Sequence, residues 1–168
     1  MEFDKSYVVS SLWEIPGQRY TRFLKRVEAS NLPKTLAILG CSDGTYVVPA
    51  AKRGFDVLAI DTDELALFGG VTNLAGNDVK VLGLEHRLEQ IGLRDRGVIV
   101  HDDCFLYNRD RIFSAVFTSG SIHYQENSAY PLEYIVEKMQ SYVAPGGLLL
   151  MEYVNRSEED NDPSRHFV

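Results

Sequence analysis

Gly40 and Gly44 bracket Cys41, Ser42 and Asp43 at the point where an apolar run ends and a helical pattern begins, and that placement is the first sign of chemistry in the chain. Glycine lets a backbone turn sharply and come close to a ligand, which is what a loop between a strand and a helix needs in order to cradle one. A Gly-x-x-x-Gly spacing also occurs in plain strand-to-helix turns, so the glycines alone decide nothing. Asp61 adds the second element. It ends the next apolar run, about 20 residues past the loop, where a carboxylate can accept hydrogen bonds from both hydroxyls of a ribose. Together they point to a nucleotide-containing cofactor. The third glycine of Gly-x-Gly-x-x-Gly is missing, with Thr45, Tyr46 and Val47 in its place, which ranks a nicotinamide dehydrogenase lower.

His123 and Tyr124 follow the fourth apolar run and are the candidate catalytic residues. An imidazole titrates near neutrality and can take a proton from a hydroxyl or an amine. The competing reading of the same residues is a packing turn that leads into a helix. His101 reads as closing the third strand and His86 as a solvated helix position. Four scattered histidines and two distant cysteines lack the spacing of C-x-x-C or H-E-x-x-H, so no metal is expected. Cys41 and Cys104 read as free thiols, buried or half-buried.

Charge narrows the partners. The chain carries 24 acids against 17 lysines and arginines, a net −7, with acids gathered at 157–162. Such a field repels phosphate backbones. The one basic cluster, Arg19, Arg22, Lys25 and Arg26, is interleaved with core positions and reads as a solvated helix face. No nucleic acid is expected as a partner. No membrane is expected either, because no apolar tract approaches the roughly 20 residues of a span. The N-terminus lacks an apolar signal core, so a cytoplasmic protein is expected.

The elements that must position these residues follow from hydrophobic spacing. Tyr20, Phe23, Leu24 and Val27 share one face of a helix over 18–30, with Pro16 just ahead of it. Short apolar strands are predicted at 34–39, 55–60, 97–100, 112–118 and 148–154, and such two-faced runs are typical of a parallel sheet covered by helices. Helices are predicted at 45–53, at 64–70 with Asp63 as its cap, at about 84–93, and at 131–142. The stretch 71–96 is the least readable, since 79–82 also has strand character, and Ala144 to Gly147 read as a turn. The alternation predicts an α/β fold with a Rossmann-like, doubly wound, mainly parallel sheet. Right-handed crossovers put all strand C-termini on one edge, where ligands bind.

The segment TLAILGCSDGTYVVPAAKRGFDVLAID (35–61) resembles the first two motifs of the class I S-adenosylmethionine-dependent methyltransferases. The resemblance continues in family order through His101, Asp102 and Asp103, then VFTSGSIHYQ (116–125) and MQSYVAPGGLLLMEY (139–153), and is greatest toward small-molecule and tellurite-resistance-like enzymes. It implies S-adenosylmethionine as cofactor and methyl transfer to a small-molecule acceptor, with a non-methylating enzyme of the same cofactor or a non-catalytic binding module as the alternatives. It further implies Gly40 and Gly44 beside the methionine moiety, with Cys41 and Ser42 in the same loop. Asp61 would hold the ribose, with Thr62 next to it. Asp102 or Asp103 would accept from the adenine amine beside Cys104, and Ser119 and Gly120 would lie near the sulfonium. An aromatic cover from Tyr7, Trp13 and Tyr20 is implied as well. Two positions depart from the family: Ile38 stands where an acid is usual, and Ser42 where a glycine is. Asp43 is near enough in sequence to take the place of the missing acid.

Three regions are expected: an N-terminal helical cover (1–33), the Rossmann-like core (34–155) and an acidic C-terminal tail (156–168), truncated relative to the family. The sheet is expected to lack the family's final antiparallel hairpin, and the edge strand thereby opened makes a homo-oligomer a candidate state.

Overall fold

The computed structural model of this chain describes residues 17–74, 76–108, 111–121 and 130–152. Helix α1 (Gln18–Glu28) precedes β1 (Thr35–Leu39), α2 (Val47–Lys52), β2 (Asp56–Asp61) and α3 (Glu64–Phe68). A hairpin of β3 (Gly70–Leu74) and β4 (Asn77–Val81) leads to α4 (Leu84–Gln90), a single 3-10 turn at Arg94–Arg96 and β5 (Gly97–His101). The described chain closes with β6 (Phe113–Ser119), α5 (Leu132–Ser141) and β7 (Val143–Glu152).

Five strands form one sheet in the order β5-β2-β1-β6-β7, and every neighbouring pair is parallel. The expected parallel sheet is therefore present. Its three inner strands, β2, β1 and β6, are buried on both faces, as their apolar runs require, while the edge strand β5 exposes Val98. Leu36 and Ile38 of β1, with Val57, Ala59, Ala115 and Phe117, pack under α1, α2 and α4. Ala37, Leu39, Leu58, Ile60 and Val116 face the other way, onto Phe105 and the α5 residues Ile135 and Met139. Alternate residues of a strand point to opposite faces, so each apolar run supplies both layers.

Local chemistry explains several boundaries. Asp63 caps α3 by accepting the N–H of Ala66 at 3.1 Å, as the sequence predicts. Gly54, at φ 82, follows α2 in the left-handed region that glycine adopts without strain. Arg19, Arg22, Lys25 and Arg26 lie on the exposed face of α1, while Tyr20, Phe23, Leu24 and Val27 are buried. Glu28 forms a two-bonded ion pair with Arg53, tying α1 to the end of α2.

Two features differ from the sequence reading. The stretch 70–81 is an antiparallel ribbon of its own, paired from Gly70↔Val81 to Leu74↔Asn77, and α4 follows it. The AlaProGlyGly segment (144–147) lies within the span of β7 as an irregularity, where the pairing jumps from Phe113↔Val143 to Ala115↔Leu148. Phe113, on the far side of the jump, joins the core layer opposite that of Ala115 despite their spacing of two. The crossover from β5 to β6 carries no helix among its described residues. Pro16, Tyr7, Trp13, the acidic tail and any strand beyond β7 lie outside the described residues, as do His123 and Tyr124.

Candidate functional site

Strand order reverses around β1, from which the chain runs to β2 and β5 on one side and to β6 and β7 on the other. Loops that leave such a point diverge and open a crevice at the strand C-termini. A cleft of about 620 Å3 lies there, lined from β1 by the glycine loop, from β2 by Ile60 to Asp63, from β5 by Asp102 to Cys104 and from β6 by Ser119 to Ser121. That volume falls within the roughly 300–1,000 Å3 of small-molecule sites.

The glycine loop is held from below. Gly40 and Cys41 both donate their N–H groups to the carbonyl of Ile60, at 2.9 and 3.1 Å, which bends the chain away from β1 and toward β2. Gly40 sits at φ 74, and a side chain there would stand 1.9 Å from Ser121 Oγ. Ser121 in turn donates to the carbonyl of Leu39 at 2.9 Å and accepts from Thr118 Oγ1 at 3.0 Å. The first glycine is thus required both by its backbone angle and by the hydroxyl that presses on it.

Ser42 is the one non-glycine residue in the left-handed region among those described, at φ 46. Its N–H donates to Asp61 Oδ2 at 2.6 Å, and the N–H of Asp63 donates to Oδ1 at 3.0 Å. Both oxygens of Asp61 are thereby oriented by backbone donors. A carboxylate has about four lone-pair positions, so two remain for a vicinal diol.

On the β5 side, Asp102 accepts the N–H of Asp103 at 2.8 Å, and Asp103 accepts from the Phe105 N–H at 2.7 Å and from the Tyr130 hydroxyl at 3.2 Å. Burial and the Asp103 carboxylate raise the Tyr130 phenol above its usual range, so it stays a donor to that carboxylate. His101 Nε2 lies 2.9 Å from the carbonyl of Thr62, which ties the end of β5 to the end of β2. On the β6 side, the Tyr46 hydroxyl donates to Ser119 Oγ at 3.4 Å. Tyr46 packs edge-on against Tyr20, with ring centres 4.9 Å apart, and lies 4.5 Å from Phe117.

Of the residues singled out in the sequence, Gly40, Cys41, Ser42, Asp61, Thr62, Asp102, Asp103, Cys104, Ser119 and Gly120 all line this cleft. Gly44 does not. A side chain on Gly44 would meet Leu84 Cδ1 at 2.3 Å, so its open side is filled by α4. Tyr20 is buried in the core, where its hydroxyl donates to the carbonyl of Tyr46 at 2.7 Å. Asp43, near enough in sequence to take the place of the missing acid, does not line the cleft: it is 4% exposed and paired with Arg87, 3.3 Å away. Ile38 is fully buried.

Thr45, Tyr46, Ile60, Asp63 and Ser121 also line the cleft and were not among the sequence candidates. Tyr46 had a usable signal, being an aromatic residue just after the second glycine. Ser121 had none, because its contact with Gly40 joins the ends of two adjacent strands that lie far apart in sequence. Both cysteines are buried thiols. Burial, and then the charge of Asp61, push Cys41 well above its usual range, while burial and then Asp103 push Cys104 up to about 12. Neither offers a thiolate at neutral pH.

No protein-family model matches the chain, and no curated protein matches it in sequence. Solved structures do match. The S-adenosylmethionine-dependent methyltransferase from Agrobacterium tumefaciens superimposes with a TM-score of 0.62 at 15% identity, over 83% of this chain and 45% of that one. The glycopeptide N-methyltransferase MtfA complexed with S-adenosyl-L-methionine gives 0.59 at 18% identity, over 83% and 55%. A methyltransferase from Geobacter sulfurreducens in complex with S-adenosyl-L-homocysteine gives 0.58 at 19% identity, over 82% and 48%. This chain has their fold. It spans about half the length of the solved structures that it matches. Within that methyltransferase fold the cleft described above sits at the switch point of the sheet, and its acids and glycines come from the same strand ends that the sequence motifs mark.

Proposed function

We propose that the cleft binds S-adenosylmethionine and that the protein transfers its methyl group to a small-molecule acceptor. The observation that carries this reading is the Asp61 carboxylate, held on both oxygens by the amides of Ser42 and Asp63 at the end of β2. A donor pair on adjacent carbons is what its remaining lone pairs suit, and a ribose presents one. The fold shared with structures solved in complex with S-adenosylmethionine and S-adenosylhomocysteine supports the same choice of cofactor.

In this reading Asp61 orients the ribose and Thr62 flanks it. Asp102 or Asp103 accepts from the adenine amine, next to Cys104. Gly40, Cys41 and Ser42 pass under the methionine chain, and Gly44 keeps that loop seated on α4. Ser119 and Gly120 stand at the reacting end, beside Tyr46. Bound there, the cofactor supplies an electrophilic methyl on a sulfonium cation. The protein's task is then to hold the acceptor in line with that carbon, at near-attack distance, and to exclude water. His123 takes the proton where the acceptor must lose one, with Tyr124 beside it. The acceptor is a small molecule in the branch of the family that the sequence resembles, and related folds include structures described as acting on geranyl diphosphate and on a sugar.

A non-catalytic binding module is the competing reading. It draws on Ile38, buried where an acid is usual, and on the engagement of Asp43 by Arg87. Calorimetric titration with S-adenosylmethionine and S-adenosylhomocysteine tests the first step: heat of binding is expected with both, and none with either, in a folded sample, sinks the proposal. Mass analysis of the cofactor after incubation with candidate amines and hydroxyl compounds tests the second. S-adenosylhomocysteine and an acceptor heavier by one CH2 unit are expected, and cofactor returned unchanged from a broad panel favours the binding module.

A further inference from the structure

Helix α4 lines no part of the cleft, yet two of its side chains support the glycine loop from behind. Leu84 fills the space beside Gly44. Arg87, three residues on and so on the same face of the helix, donates through Nη1 to the carbonyl of Asp43, and the same nitrogen lies 3.3 Å from Asp43 Oδ1. The Asp43 carboxylate also accepts from Thr45 Oγ1 at 3.2 Å. Arg87 therefore grips Asp43 by both its backbone and its side chain.

Asp43 is the pivot of the loop. Ser42 before it has φ 46 and Gly44 after it has φ 91, so the backbone turns left-handed on both sides of the residue that Arg87 holds. An L-residue at φ 46 returns to the right-handed or extended region unless its surroundings prevent it. The N–H of Ser42 that reaches Asp61 depends on that conformation.

The hairpin explains how α4 comes to be there. A side chain at Gly83 would stand 2.1 Å from the backbone nitrogen of Gly69. The β3–β4 ribbon thus leaves the body of the protein through a backbone-to-backbone neck, and the ends of α3 and α4 lie side by side across it. One crossover between β2 and β5 thus delivers both the Asp63 amide that orients Asp61, at the start of α3, and the support of the glycine loop, from α4.

We propose that Arg87 is a positioning residue for the nucleotide site: it holds Asp43, and through it the left-handed Ser42, so that the Ser42 amide orients the Asp61 carboxylate. The ligand-binding consequence rests on the function proposed above; the structural consequence does not.

Two variants test it. Arg87→Lys keeps a cation beside the buried Asp43 carboxylate but puts it on a shorter side chain, in place of the guanidinium nitrogen that meets both the carbonyl and the carboxylate of Asp43. The double variant Arg87→Met with Asp43→Asn removes both charges together, so no uncompensated buried carboxylate remains to unfold the protein. Amide hydrogen exchange at Ser42, with Ala37 in β1 as an internal reference, needs no ligand. A rise of about tenfold or more at Ser42 with Ala37 unchanged is expected in both variants, the scale of one lost hydrogen bond to a charged group. Unchanged Ser42 exchange in either folded variant overturns the proposal. S-adenosylhomocysteine titration supplies the second readout. Its affinity is expected to fall about tenfold in the Asp61 background and less than twofold when Asp61→Asn is already present, because the effect passes through that carboxylate. Equal losses in both backgrounds would mean a general structural role and would also overturn it. If the wild type binds neither cofactor form, the functional reading fails, and exchange at Ser42 still decides the role of Arg87.

Discussion

The N–H of Ser42 donates to Asp61 Oδ2 at 2.6 Å, across 19 residues of sequence, and joins the glycine loop to the end of β2. Ser42 pays for this with a left-handed backbone at φ 46, which serine rarely adopts. Substitutions at the two residues should therefore separate backbone conformation from charge. Ser42→Gly is expected to leave stability within about 1 kcal/mol, because relief of strain and the added chain entropy of glycine offset each other. It should also retain S-adenosylhomocysteine binding. Ser42→Val, β-branched at positive φ, should cost about 1–3 kcal/mol. Asp61→Asn exchanges one acceptor for a donor facing an amide and should weaken that binding about tenfold or more. Thermal melts and titration calorimetry read all three, and tight binding by Asp61→Asn would contradict the assigned role of the carboxylate.

Gly40 and Ser121 form a second coupled pair. A side chain at Gly40 would stand 1.9 Å from Ser121 Oγ, and the residue lies at φ 74 besides. Gly40→Ala should lose about 2–4 kcal/mol, from a strained backbone angle together with overpacking. Removing the hydroxyl with Ser121→Ala should recover part of the loss, so that the double variant is more stable than the sum of the single effects predicts. Strict additivity in chemical denaturation would show that Ser121 is not what excludes a side chain at position 40.

The thiols predict a pH response. Burial pushes Cys104 up to about 12 and Cys41 well above its usual range. In the unfolded chain both ionise near 8.5, so above that pH the native state binds more protons than the unfolded one. Stability from this source is complete below about pH 8.5 and falls as pH rises toward the folded values, by up to about 1.4 kcal/mol per unit for each thiol. Cys104→Ala should flatten the decline measured between pH 8.5 and 10 relative to the wild type. The native protein should react with a thiol-specific chromogenic disulfide only at its unfolding rate, and prompt reaction of either cysteine at neutral pH would overturn the assignment.

Much of this site was legible in the amino-acid order because the signals are local. Each apolar run of β1, β2, β5 and β6 carries its own strand character, Asp63 sits next to the helix it caps, and Asp61 follows directly from the run that ends in it. Parallel strands with right-handed crossovers then bring their C-termini to one edge whatever the side chains of the loops are, so the glycines and acids that follow those strands had to converge. That is why ten of the expected cofactor-site residues line one cleft.

What tertiary structure decided is everything that depends on a partner distant in sequence. Asp43 looked available as an acid of the cofactor loop, but Arg87, 44 residues away, claims it. Gly44 looked like a ligand-side glycine, but Leu84 occupies its open side. Tyr20 looked like a cover, and its ring is packed against Tyr46 and Phe117 in the core. Of the ribbon at 70–81 only the strand character of 79–82 was legible, because neither of its strands carries a long apolar run, and its position depends on the neck between Gly69 and Gly83. Periodicity reports which face of an element is buried. Only the packed chain selects the atoms that meet there, because each such contact balances desolvation, charge and shape between segments that the sequence leaves far apart.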